Sequence, residues 1–157
     1  MFHIVLFHPE IPHNTGAAGR LAVATDARLH LIKPLGFSLD EKHVRRTGLD
    51  YWKHVDLRLW DSLEELEAAA APGARFWYLS TKAAHSIWEP ALPLQDGDYF
   101  VFGPESRGLP ERWIAAHPET ALRIPMPGER ARSLNLSTSI AIMLYEGLRR
   151  TLPEGQL

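Results

Sequence analysis

"FHIVLFHPEIPHNTGAAGRLAVATDARLHLIK", residues 2–33, decides how the chain is read. Its first six residues are a nearly continuous apolar run, the pattern of a strand covered on both faces. The loop "HPEIPHN" follows, then a helical stretch from about Thr15 to Thr25, with Asn14 as a natural N-cap. "RLHLIK" is a second strand. The same alternation continues outward. "LDEKHVRRT" is a short helix opened by Asp40 or a neighbour, and "VDLRLW" is a strand. "DSLEELEAAAA" is a helix capped by Asp61 or Ser62 and stopped by Pro72 and Gly73. "RFWYLS" and "DYFVFG" are strands, and "LPERWIAAH" is a helix with Pro110 near its first turn. "TALRIPM" is a strand, and "STSIAIMLYEGLRR" is the last helix. Such alternation implies an α/β fold, a mostly parallel sheet with helices on both faces. No repeat or linker interrupts it, so residues 1–157 read as one domain.

Composition narrows the classes. The chain is 45% hydrophobic and 23% charged, as an ordinary globular domain is. No stretch approaches the roughly 18 apolar residues of a membrane span. "MFHIVLFHPE" lacks the basic start of an export signal, so a cytoplasmic protein is expected. With no cysteine, thiolate catalysis, disulfides and Cys-type zinc sites are excluded. A net charge of −2 argues against a wholly basic coat but leaves room for local patches. Lys42, His43, Arg45 and Arg46 form one, followed by Tyr51, Trp52 and Lys53; Arg130 and Arg132 form another. A solvated charged helix face would explain the first cluster equally well.

The unusual residues follow the strands. Asn14, Gly16, Gly19 and Arg20 come after the first, and Ser80, Thr81 and Lys82 after "RFWYL". "GPESRGLP" comes after "DYFVF", and Pro125, Met126, Pro127 and Gly128 after "LRI". In a parallel sheet these loops share the carboxyl edge, where open α/β folds bind ligands. Close helix packing accounts for Gly16 and Gly19, but not for Arg20. Glu105, set in a loop between two glycines, has no obvious structural use. "SLNLS" (133–137) supplies more hydrogen-bonding side chains than a helix cap requires. No G-x-G-x-x-G is present, and none of the eight histidines lies in H-E-x-x-H, so neither a dinucleotide nor a metal is expected. In the last helix Ile140, Met143, Leu144 and Leu148 form one apolar stripe. Ile142 and Tyr145 widen it, which points to packing on a second subunit.

Three motifs in order, "NTGAAGR" (N-x-G-x-x-x-R), "FGPESRGLP" and "IPM…RSLNLSTSIAIMLYE", resemble those of the SpoU-type RNA 2′-O-ribose methyltransferases of the SPOUT superfamily. The resemblance covers about residues 2–150 and is nearest to the short tRNA-modifying members that act at cytidine or uridine 34. It departs in "PMPGERARS", which is longer and more basic than the usual linker. The resemblance implies a C-terminal trefoil knot, a homodimer through the last helix, and S-adenosylmethionine as cofactor without a metal. It places Leu79, Gly103, Ile124, Met126, Ser133 and Leu134 at the cofactor. It makes Arg20 the central catalytic residue, with Asn14, Glu105 and Asn135 organising the site. In the family the matching arginine is held to activate the 2′-hydroxyl. A guanidinium stays protonated in proteins, so holding phosphate and stabilising the developing alkoxide is the alternative. Lys42, Arg45, Arg46, Lys53, Arg107, Arg130 and Arg132 are candidates for tRNA phosphates. Tyr51 or Trp52 is a candidate to stack on an unpaired base, with core packing favoured for Trp52. The competing readings are methylation at another tRNA or rRNA site and a non-catalytic RNA-binding dimer.

Overall fold

A computed structural model describes every residue except Glu41, His43, Arg45, Arg46, Thr47, Gly48 and Leu157. The elements run β1 (His3–Phe7), α1 (Pro12–Thr25), β2 (Arg28–Ile32), a 3-10 helix (Leu49–His54) and β3 (Leu57–Trp60). Then come α2 (Leu63–Ala69), β4 (Phe76–Leu79), β5 (His85–Ser86), β6 (Tyr99–Phe102), α3 (Glu111–Ala116), β7 (Ala121–Arg123) and α4 (Leu136–Thr151). The seven strands lie in the order β3-β2-β1-β6-β4-β7-β5. Every pairing is parallel.

The pleat sorts the core into two. Along β1, Ile4 and Leu6 face one cluster and Val5 the other; along β6, Phe100 and Phe102 oppose Tyr99 and Val101. This is the period of two that a strand imposes. Ala18 and Ala22 of α1 and Ile140, Met143 and Leu144 of α4 cover the first face. Leu63 and Leu66 of α2 and Ile114 of α3 cover the second. Each leucine, isoleucine or methionine among them, fully buried, contributes about 1.5–3 kcal/mol. Among the described residues no helix is long and apolar enough to cross a membrane.

On the second face lies a polar chain. Trp60 Nε1–H donates to Nδ1 of His30 at 3.0 Å. His30 therefore carries its proton on Nε2, which lies 2.9 Å from Nδ1 of His3. His3 stacks on Tyr99 with ring centroids 3.9 Å apart. Burial, reinforced by the charges of Arg28 and the N-terminus, depresses His3 to about 4. Burial, with His3 and Arg28 nearby, depresses His30 to about 3.

Several expectations change. α1 begins at Pro12, and its N-cap is Ile11, not Asn14. Proline at the first helical position has its φ preset and lacks an N–H needing a partner, so the helix starts earlier than side-chain capping suggests. α2 uses Ser62 as cap, the Glu65 amide donating to its hydroxyl at 3.1 Å. It stops at Ala69, before the Pro72–Gly73 pair. β5 and the 3-10 helix carry too few residues to show a period. Lys42 and Val44 are helical, whereas the rest of "EKHVRR" lies outside the described residues. Ile142 packs against its own core, leaving Tyr145, 54% exposed, as the surplus apolar group of α4.

Candidate active site

The loops after β4, β6 and β7 line one cavity of roughly 280 Å³ at the carboxyl edge of the sheet. Leu79, Gly103, Ile124, Met126, Ser133 and Leu134 all lie on its wall, as do Ser80, Thr81 and Lys82. β4, β6 and β7 lie close together in the sheet, which is why loops far apart in sequence converge here. Leu79, Phe102, Ile124, Met126 and Leu134 supply an apolar surface, while Ser133, Arg107 and Arg132 bring donors to it. Lys82 pairs with Glu111 across the wall. Among the described residues no cluster of acidic side chains and histidines is arranged to hold a metal ion.

Gly103 has a structural reason. A Cβ at this position would stand 2.2 Å from the Leu109 amide nitrogen and 2.3 Å from the Gly108 carbonyl carbon. The loop folds back onto the end of β6, and only a residue without a side chain admits it.

Glu105 also lines the cavity, but its carboxylate is already engaged. It accepts from the amide of Glu10 at 3.0 and 3.1 Å and from that of Ile11 at 2.5 Å. Glu10 returns the exchange, accepting from the backbone and hydroxyl of Ser106 at 2.9 and 2.7 Å. The two loops that flank the β1–β6 pairing are thereby clasped. Burial raises the Glu105 carboxyl, opposed by the amides of Glu10 and Ile11. The Ser106 donors hold Glu10 below the usual carboxylate range. Glu105 is thus spent on loop amides, and among the described residues it makes no bond to Arg20. Nothing in "HPEIP" announces that Glu10 meets a residue 96 positions away.

Asn135 has two duties. Its side-chain oxygen accepts from the amides of Ser137 and Thr138, at 2.9 and 3.3 Å, and so caps α4. Its Nδ2 donates to Oδ1 of buried Asn14 at 3.3 Å. "SLNLS" is thus both cavity wall, at Ser133, Leu134 and Leu136, and helix start, from Asn135. Asn14 and Asn135 are joined, but neither lines the cavity.

Arg20 does not line it either, contrary to the sequence reading. It lies two turns into α1, about 12 Å along the axis from Pro12, and the helix carries it away from the sheet edge. Its side chain is exposed, with Cζ 5.0 Å from the ring centroid of Tyr51. Trp52 is half-buried against Gly19, where a Cβ would meet its ring at 2.8 Å. Of the basic candidates, Arg107 and Arg132 line the cavity, and Lys42, Lys53 and Arg130 are exposed and do not. Arg45 and Arg46 lie outside the described residues.

Comparison with known proteins agrees with the motifs. The tRNA (cytidine(34)-2′-O)-methyltransferase of Methylovorus glucosotrophus is 49% identical over 153 residues, spanning 96% of each chain. The enzyme of the same name from Saccharophagus degradans is 46% identical over 154 residues, again 96% of each. A solved structure from work on the 2-OH methylation of C/U34 on tRNA superposes with a TM-score of 0.88 at 48% identity, covering 96% of this chain and 95% of that one. The AdoMet-bound rRNA methyltransferase of Sinorhizobium meliloti shares the fold, with a TM-score of 0.81 at 23% identity over 97% of this chain and 57% of that one. The model of the SpoU rRNA methylase family matches residues 1–145. An all-parallel sheet with three of its loops around one cavity, joined to relatives of near-equal length and a family match over most of the sequence, makes this chain a member of the SpoU rRNA methylase family.

Proposed function

We propose that this protein transfers a methyl group from S-adenosylmethionine to the ribose 2′-oxygen of a tRNA nucleotide, at wobble position 34. The observation that supports it most is that all six residues assigned to the cofactor by motif line a single cavity. That cavity suits the compound: apolar walls for an adenine, hydroxyl and cationic groups for its polar parts, and walls tied by the Glu105–Glu10 exchange. When bound, S-adenosylmethionine supplies an activated methyl on a sulfonium sulfur.

The chain's own residues do the positioning. Leu79, Ile124, Met126 and Leu134 hold the apolar part and exclude water, with Gly103 letting the loop close and Ser133 adding a hydroxyl. Alignment of this kind lowers a transfer barrier by about 7–11 kcal/mol at best. Arg20 acts electrostatically, binding a substrate phosphate and stabilising the oxygen as its proton leaves. Glu105 and Asn14 hold the helix that carries Arg20. Arg107 and Arg132 at the rim, with Lys42, Lys53 and Arg130 farther out, receive tRNA phosphates. Arg45 and Arg46 complete that set.

Arg20 stands off the cavity within one chain, so it acts from an assembly. α1 packs beside α4, and the exposed Tyr145 of α4 supports a homodimer contact on that helix. Arg20 then serves a ribose presented to the second copy's cavity. We also propose that the C-terminal segment is tucked through a loop, giving the trefoil knot. The protein works where tRNA is, in the cytoplasm.

Incubation with methyl-labelled S-adenosylmethionine and total tRNA, followed by mapping of the labelled nucleotide, tests the proposal. Label on the ribose at position 34 is the expected result. Label elsewhere refutes the position, and none refutes the activity.

A further inference from the structure

Tyr51 is offered by sequence as a stacking surface for an RNA base, yet its ring is otherwise engaged. The guanidinium carbon of Arg20 sits 5.0 Å from the ring centroid, within cation–π range. Tyr51 is 41% exposed, so filling the core does not explain it. Its placement is well defined by the residues beside it. A Cβ on Gly19 would meet the Trp52 ring at 2.8 Å and Val55 at 3.2 Å, so α1 and the 3-10 helix meet without clearance one residue before Arg20.

The Arg20 side chain makes no hydrogen bond or ion pair among the described residues. Other arginines here spend their donors: Arg28 on Asp56, Arg75 on Asp98, Arg150 on Glu146 and a run of carbonyls. A carboxylate would hold Arg20 as firmly, but it would occupy the planar fork and neutralise its charge. An aromatic face holds the cation and leaves its N–H edge unspent. That edge matches phosphate and ribose oxygens.

We infer that Tyr51 is a positioning residue: its ring orients the Arg20 guanidinium while keeping the hydrogen-bonding edge free for the ribose-phosphate substrate. This rests on the proposed role of Arg20. Tyr51 therefore affects the rate of transfer more than the binding of tRNA.

Steady-state methylation of tRNA is measured for the native protein and for Tyr51→Leu, Tyr51→Phe and Arg20→Ala, with S-adenosylmethionine affinity by calorimetry and thermal unfolding alongside. Leucine preserves apolar bulk and removes the aromatic face, so a purely structural role leaves it active. The expected result is kcat lower by about 3- to 30-fold in Tyr51→Leu, with KM for tRNA and cofactor affinity within about twofold. Tyr51→Phe recovers most of the rate. Native kcat in Tyr51→Leu beside an inactive Arg20→Ala overturns the inference and leaves the role of Arg20 standing. A raised KM at native kcat overturns it in favour of base stacking. A Tyr51→Phe variant as slow as Tyr51→Leu overturns it in favour of the hydroxyl. An active Arg20→Ala removes the reading on which the inference rests.

Discussion

Arg20 and Ser133 separate two jobs that a rate measurement alone would merge. Arg20 is exposed and off the cavity; Ser133 is on its wall. Arg20→Ala is expected to lower turnover by roughly 10²-fold or more, the size seen when a transition-state donor is lost, with cofactor affinity within a few-fold. Ser133→Ala is expected to weaken cofactor binding and leave the thermal midpoint near native. Calorimetry with S-adenosylmethionine and single-turnover assays check both, and the reverse pattern would exchange their roles. Glu105 shows how a residue can be legible as special while its partners stay hidden. A carboxylate between two glycines stood out in "FGPESRGLP", but its partners, the Glu10 and Ile11 amides, belong to another loop.

At the scale of an element, the loop from β6 to α3 is the cavity wall most sensitive to a single atom. Gly103→Ala places a methyl group against the Gly108–Leu109 backbone, which has no rotamer to yield with. A loss of about 1–3 kcal/mol in unfolding free energy is expected, since a filled space must be reopened. Cofactor affinity is expected to fall with it because the same loop lines the cavity, and urea titration with calorimetry reads both. The strands were legible because β1 and β6 alternate between two apolar faces over four or five residues. α1 was legible in kind but not in its start: Pro12 rather than Asn14 governs the first turn. β5, two residues long, has no pattern to find.

For the whole molecule, the buried histidines tie stability to acidity. His3 and His30 are held near 4 and 3 in the fold, below the ordinary 6.5, so the unfolded chain binds more protons between those values. Their contribution is complete above about pH 6.5 and declines as pH falls toward 4 and 3. His30, 2% exposed, alone gives a slope of about 1.4 kcal/mol per pH unit in that window. The urea midpoint is expected to drop between pH 7 and pH 5, above the range where the depressed carboxylates of Glu10, Asp56 and Glu146 begin to lose their share. An unchanged midpoint would contradict it. Assembly makes its own prediction. If Arg20 of one protomer serves the cavity of its partner, mixing inactive Arg20→Ala chains with Ser133→Ala chains, at a cofactor concentration too low for the latter to turn over alone, restores part of the native rate after subunit exchange. No recovery in confirmed mixed dimers would return Arg20 to its own chain's cavity.

Sequence alone determined the alternation of strands and helices, the parallel sheet, the family and, through the family's motifs, six residues that line the cavity. These follow from short-range periodicity and from motifs whose members lie close together along the chain. Only the tertiary structure decided that Glu105 clasps the start of α1, that Asn14 pairs with Asn135, and that Arg20 stands over Tyr51 away from the cavity. Those contacts join segments remote in sequence, and local pattern carries no record of which loops meet when the sheet closes.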